Sequence, residues 1–219
     1  MKPSAKLGYQ LGAIIALAML VIIFLPGQES FHALGPANTG HEELGCQDCH
    51  ISAPGTARQQ IQANMRYWIG LRTMPVDFLH EPVMNANCID CHENPQDNHP
   101  VHIFNEPRFA EARVAIAPQN CVSCHLEHEG KRVTAEITYC VECHADLSLP
   151  NDPIDISHEQ LIADEAWESC LGCHDFHGNH KMELATSVDE ALTPIEILQY
   201  FEGGPSPYSD EKFYQAKEQ

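Results

Sequence analysis

Cys121-Val-Ser-Cys124-His125 is one of five copies of a single pattern, and the rest of the chain is organised around them. The others are Cys46-Gln-Asp-Cys49-His50, Cys88-Ile-Asp-Cys91-His92, Cys140-Val-Glu-Cys143-His144 and Cys170-Leu-Gly-Cys173-His174. All ten cysteines fall in these runs and none is left over. C-x-x-C-H is the attachment signature of haem c. Two thiols three positions apart add to the two vinyl groups of one porphyrin, and the adjacent His is held beneath the iron as its proximal ligand. The sequence therefore predicts five covalently bound haem c groups, with His50, His92, His125, His144 and His174 on the irons.

Competing chemistries fit poorly. His supplies 14 of 219 residues, so a His after all five pairs by chance is about one in a million on composition. Structural zinc uses C-x-x-C pairs two at a time, and five is odd. A disulfide framework has no reason to place His after every second Cys. Thioredoxin-like redox chemistry uses a single C-x-x-C in an α/β setting, and no βαβ pattern is evident.

Once an amino-terminal segment of about 30 residues is set aside, roughly 38 residues remain per haem, too few for an ordinary side-chain core around each. The expected fold is mainly α and irregular, with little or no sheet and with the haems forming much of the interior. Thirteen Gly and 15 Pro suit such wrapping. With 12 Lys and Arg against 31 Asp and Glu, the formal charge is −19. Nothing resembles a basic nucleic-acid footprint. The acidity serves solubility, or steers a basic redox partner.

Residues 11–25 are uncharged and apolar. With residues 7–10 the run reaches about 19, close to the roughly 20 needed to span a bilayer. Lys2 and Lys6 precede it, and no further Lys or Arg comes before Arg58. Positive-inside logic puts the amino terminus in the cytoplasm and everything after Pro26 outside. A cleaved leader is the alternative, but Phe24-Leu-Pro-Gly-Gln-Glu-Ser has no small-x-small site. The expected division is 1–26 as amino terminus and transmembrane helix, 27–45 as linker, 46–182 as the pentahaem domain and 183–219 as a helix and tail. The destination is a bacterial cytoplasmic membrane, single-pass, with the haem domain on the periplasmic side.

Thr56 to Arg72 reads as a helix with Thr56 at its N-cap and Ile61, Met65, Trp68 and Ile69 at helical spacing. That stripe either packs on haem edges and core or lies at the membrane interface with Tyr67, Trp68 and Arg58, Arg66 and Arg72, where it could border a quinol site; the pattern does not decide. Pro107 starts a short helix, and His158–Glu168 is a short helical run. The third and fourth motifs are only 19 residues apart, so their haems are expected to be neighbours. Thr193-Pro194 opens a last helix, broken at Gly203-Gly-Pro-Ser-Pro. The tail beyond frays by default, or docks a partner.

Nine histidines remain for the distal faces: His32, His41, His80, His99, His102, His128, His158, His177 and His180. Two imidazoles per iron give closed, low-spin haem suited to electron transfer, whereas Met65, Met74, Met84 or Met182 would raise a potential. His128 lies three residues after His125, at most roughly 10 Å away in extended chain, and cannot readily pass round its own haem. It serves a neighbour instead, and His177 after His174 is under the same constraint. The ranking places His41, His99, His128, His158 and His180 first, His102, His177 and His80 in reserve, and His32 last.

Many C-x-x-C-H motifs in little sequence, extra histidines between them and the run Cys121-Val-Ser-Cys-His-Leu-Glu-His128-Glu-Gly resemble the class III multihaem cytochromes over about residues 41–180. An amino-terminal anchor followed by five haems is also similar to the pentahaem subunit of alternative complex III. The match to the anchored quinol-oxidising cytochromes of nitrate and nitrite respiration, with four haems in their core, is weaker. The resemblance implies an electron-transfer protein in a larger assembly, taking electrons from quinol or a quinol-oxidising membrane partner and passing them to a periplasmic redox protein. No side-chain acid, base or nucleophile is needed. A multihaem reductase of nitrogen or sulfur oxyanions, or a structural subunit of a cytochrome assembly, are the alternative readings.

Overall fold

The structure, a computed structural model, describes residues 3–23 and 35–217, with side chains described for 6–22 and 35–217. Helix α1 (Pro3–Ile23) stands apart with its apolar side chains exposed. Among the described residues no helix is long and apolar enough to cross a membrane. Lys2, Phe24 and Leu25, which complete the predicted anchor, lie outside them, as does His32.

Short helices joined by turns follow. They are α2 (Cys46–Cys49), α3 (Ala57–Trp68), α4 (Asn85–His92), α5 (Ala110–Ala115), α6 (Val141–His144), α7 (His158–Ala163), α8 (Cys170–Cys173) and α9 (Pro194–Phe201). Single 3-10 turns lie between several of them, including Pro107–Phe109 and Cys121–Ser123. No strand occurs among the described residues, only the bridges Ser52 with His80 and His180 with Lys212. Mainly helical and irregular structure without sheet is what the sequence predicts.

Local chemistry explains the helix ends. Thr56 accepts the Gln59 N–H while Gln59 Oε1 accepts the Thr56 N–H at 2.8 Å, a capping box that starts α3. Thr193 and Glu196 repeat it at α9, with Pro194 at the first helical position. Gly203, at φ +98, ends α9 in a Schellman motif: its N–H donates to the Tyr200 carbonyl and the Gly204 N–H to that of Gln199. The run predicted over His158–Glu168 stops at Ala163, where Glu165 takes a positive φ and a separate turn at Trp167–Ser169 begins.

Side-chain burial is sparse. The buried cluster is Leu171, Ile197, Phe201 and Tyr208, flanked by Val133, Tyr139, Phe176 and Leu192. The chain exposes 15704 Å², where a globular protein of its mass would expose about 10,000 Å². The polypeptide by itself leaves apolar surface that something else must cover.

Both flanking segments are part of this body. Buried Asn38 donates to the Leu126 carbonyl at 2.8 Å and accepts from the Glu129 N–H, fastening the predicted linker to the loop after the third motif. The tail is not frayed. Tyr208 Oη donates to the Leu171 carbonyl at 2.9 Å, the Phe213 N–H to Asn179 and the Lys217 N–H to Cys91. A polar, proline-broken composition argues for fraying, but Tyr208 gives the tail something to bury and Tyr214 is half-buried.

Candidate haem-binding site

Each motif folds into the same tight turn. The His50 N–H donates to the Cys46 carbonyl at 2.8 Å, His125 to Cys121 at 2.9 Å, His144 to Cys140 at 3.0 Å and His174 to Cys170 at 3.0 Å. The second motif sits inside α4. Such a turn brings the two thiols to one side of the backbone with the imidazole beside them, and none of the ten thiols is in a disulfide. Burial pushes the pKa of all five motif histidines down, so each presents a neutral ring with a free lone pair.

A second imidazole faces every one of these rings. Ring centroids are 5.9 Å apart for His41 and His92, 6.1 Å for His125 and His177, 6.2 Å for His99 and His144, and 6.2 Å for His158 and His174. His50 has two such neighbours, His80 at 5.6 Å and His128 at 6.3 Å. Two imidazoles bound to one metal through nitrogen bonds of about 2.0 Å put their centroids about 6.2 Å apart. The spacing fits a metal between each pair.

The second ring nitrogen supplies an independent criterion. His41 Nδ1 meets Glu127 at 2.5 Å, His158 Nδ1 meets Asp152 at 2.9 Å, and His177 Nδ1 meets Asp97 at 3.0 Å. His99 Nδ1 donates to the Phe176 carbonyl at 2.6 Å and His128 Nδ1 to that of Gly35 at 3.2 Å. Engaging Nδ1 this way fixes the tautomer and turns Nε2 outward as a ligand. Among the described residues the His80 ring has no such bond, and its spacing from His50 is the outlier. Both criteria select His128. Its backbone takes φ +67, a left-handed conformation that costs a non-glycine residue on the order of 1–3 kcal/mol. Gly35 passes so close that a Cβ there would lie 2.1 Å from the His128 carbonyl oxygen.

Of the five ranked first, His41, His99, His128 and His158 lie opposite motif histidines. His180 does not. Its Nδ1 is held by Asp175 at 2.8 Å, but its ring stacks on Tyr208 with centroids 5.1 Å apart, and its buried Nε2 has no partner. The ring opposite His125 is that of His177, one of the reserves; it faces the third motif and not the fifth, which it follows in the chain. The parallel spacing of His125-x-x-His128 and His174-x-x-His177 was the available signal. His102 is exposed, as are Met65, Met74 and Met84. The carboxylates Glu127, Asp97 and Asp152 carried no recognisable pattern.

The motifs touch in an order that differs from the chain. The Cys88 and Cys121 side chains adjoin, and Asn85 Oδ1 accepts the Cys121 N–H at 3.0 Å, joining second and third. The Cys140 and Cys170 side chains adjoin likewise, joining fourth and fifth. His128 ties the third motif to the first, and His177 ties the fifth to the third. The third and fourth motifs meet through Tyr139, which lies near both Cys124 and Cys140, but the thiol contact of the fourth is with the fifth. Beside Cys124 opens a cleft of about 550 Å³, lined by Val114, Ile116, Thr134, Tyr139 and Val141, within the usual range for a cofactor.

Five thiol pairs, neutral motif imidazoles each faced by a second ring with an anchored Nδ1, and a body short of core residues fit covalently attached haem. Fold and site together fit the pattern of the multihaem c-type cytochromes. Residues 38–145, which include the first four motifs, match the family model described as cytochrome c3. That similarity carries covalently bound haem c and multihaem electron transfer. No curated protein and no solved structure matches the chain.

Proposed function

We propose that this chain is a membrane-anchored pentahaem cytochrome. In this reading it relays electrons outside a bacterial cytoplasmic membrane, from quinol or a quinol-oxidising membrane partner to a periplasmic redox protein. The imidazole pairs that would hold the five haems are His50 with His128, His92 with His41, His125 with His177, His144 with His99 and His174 with His158. When bound, haem supplies reversible one-electron chemistry at iron. The protein's own part is to keep the five motif imidazoles neutral, to orient the facing five through Glu127, Asp97, Asp152 and two carbonyls, and to hold neighbouring motifs in contact.

One observation carries the reading: every motif histidine has a second imidazole within 6.3 Å. A pair leaves no open coordination position, so this arrangement favours electron transfer over reduction of a small oxyanion. The anchor is supported by the apolar run at residues 11–25 and by the lysines before it. Membership of a larger quinol-oxidising assembly rests on the resemblance in motif number and anchor.

Electron paramagnetic resonance of the oxidised protein in mild detergent tests the reading. Five low-spin ferric centres per chain are expected. A high-spin centre in the resting protein, or one that binds nitrite or carbon monoxide, would overturn it in favour of a reductase.

A further inference from the structure

Helix α3 is built inside out. Its inward residues are polar: Gln60 is buried, donates through Nε2 to the Ala53 carbonyl at 3.1 Å and accepts the Leu79 N–H at 3.0 Å. Asn64, one turn on, makes the same two-way clamp on Val76, at 3.0 and 2.9 Å. These clamps fix α3 to the segment that pairs Ser52 with His80, beside His50 of the first motif. The apolar residues point the other way. Met65, Trp68, Ile69, Leu71 and Met74 are 48–74% exposed, on α3 and the turn after it.

Charge is segregated at the same place. Between Asp48 and Asp77 the chain has no acidic residue, yet Arg58, Arg66 and Arg72 all fall there. This is a cationic island in a chain of formal charge −19. All three arginines are exposed, and among the described residues none is in an ion pair with the chain's own carboxylates. A water-facing helix would reverse the first arrangement, and a merely soluble acidic protein has no need of the second.

We infer that α3 and the turn to Met74 form a membrane-surface foot: Trp68, Ile69, Leu71 and Met74 enter the headgroup region and the three arginines meet anionic lipid phosphates. Exposed aromatic and aliphatic tips flanked by arginine are the chemistry of an interfacial helix. The occupant is a bilayer and not an acidic protein, because Trp68, Leu71 and Met74 are 69–74% exposed beside the arginines and the apolar run at residues 11–25 precedes them in the sequence. The inference rests on the anchor reading and adds orientation to it, with the first motif held at the lipid surface by the Gln60 and Asn64 clamps.

The test uses the full-length haem-loaded protein in vesicles of phosphatidylglycerol and phosphatidylcholine. Thioether attachment leaves an introduced cysteine as the single free thiol, so Leu71→Cys, Ile69→Cys and a reference, Glu111→Cys, each take a nitroxide label. Glu111 is exposed on α5, away from the cleft beside Cys124. Expected is a ratio of oxygen to nickel-chelate accessibility about fivefold higher at 69 and 71 than at 111. Arg58→Gln/Arg66→Gln/Arg72→Gln, or vesicles without phosphatidylglycerol, should lower it. Nickel access equal to that at 111 would put the face in water and overturn the inference. Shielding from both reagents would overturn it too, by showing cover from protein or haem. Flotation of the same vesicles in molar salt reads the anchor separately. A protein that floats with its labels in water keeps the anchor and loses the foot; one that does not float loses the anchor, whatever the labels report.

Discussion

The imidazoles of His125 and His177 face each other across 6.1 Å at an interplanar angle of 27°, although 52 residues separate them. The Asp97 carboxylate, from a third segment, holds the far nitrogen of His177. Three distant pieces of chain meet at one position.

From this pairing, His177→Ala should convert one of the five low-spin centres to high spin. His180→Ala should leave all five low-spin, because its ring faces Tyr208. Spin quantitation of the two variants side by side checks the distinction.

His128→Ala tests the double approach to His50. His80, 5.6 Å away, lacks the anchored Nδ1 of the other pairs. Loss of one low-spin centre is expected, and retention of all five would transfer the role to His80.

Acid sensitivity follows from the carboxylates behind the distal rings. Burial works against ionised Asp97, but the hydrogen bond and charge of His177 outweigh it and lower its pKa. Glu127 is lowered likewise, its hydrogen bond and charge pairing with His41 overcoming burial. A carboxylate depressed in the folded state stabilises it above the unfolded value, and that contribution is lost as pH falls through the folded one. Low-spin character should therefore hold at neutral pH and fail below about pH 4. Asp97→Asn should move that midpoint for one centre, as followed by absorbance during acid titration.

The small cluster around α9 is the only conventional core described. Ile197 is fully buried there, and Ile197→Ala should cost about 2–4 kcal/mol. A shift of the denaturant midpoint in the haem-loaded protein, with unchanged spectra, is the expected result.

The haem attachment sites, the helix caps at Thr56 and Thr193 and the absence of sheet were legible because each is written in contiguous residues. Reach along the chain could say only that His128 serves a haem other than that of His125. His177 was displaced by His180 because a tether limits which haem a residue cannot reach but does not say which it does. Asp97 and Glu127 were invisible for the same reason: their partners lie 80 and 86 residues away. The tail misled differently, since a polar composition hides what the single residue Tyr208 buries.

The most direct measurement is the intact mass of the mature polypeptide in denaturing solvent, together with a thiol count. Five covalent haem additions and no reactive thiol are predicted. A polypeptide without covalent haem, or with free thiols at the ten cysteines, would contradict the account at its root.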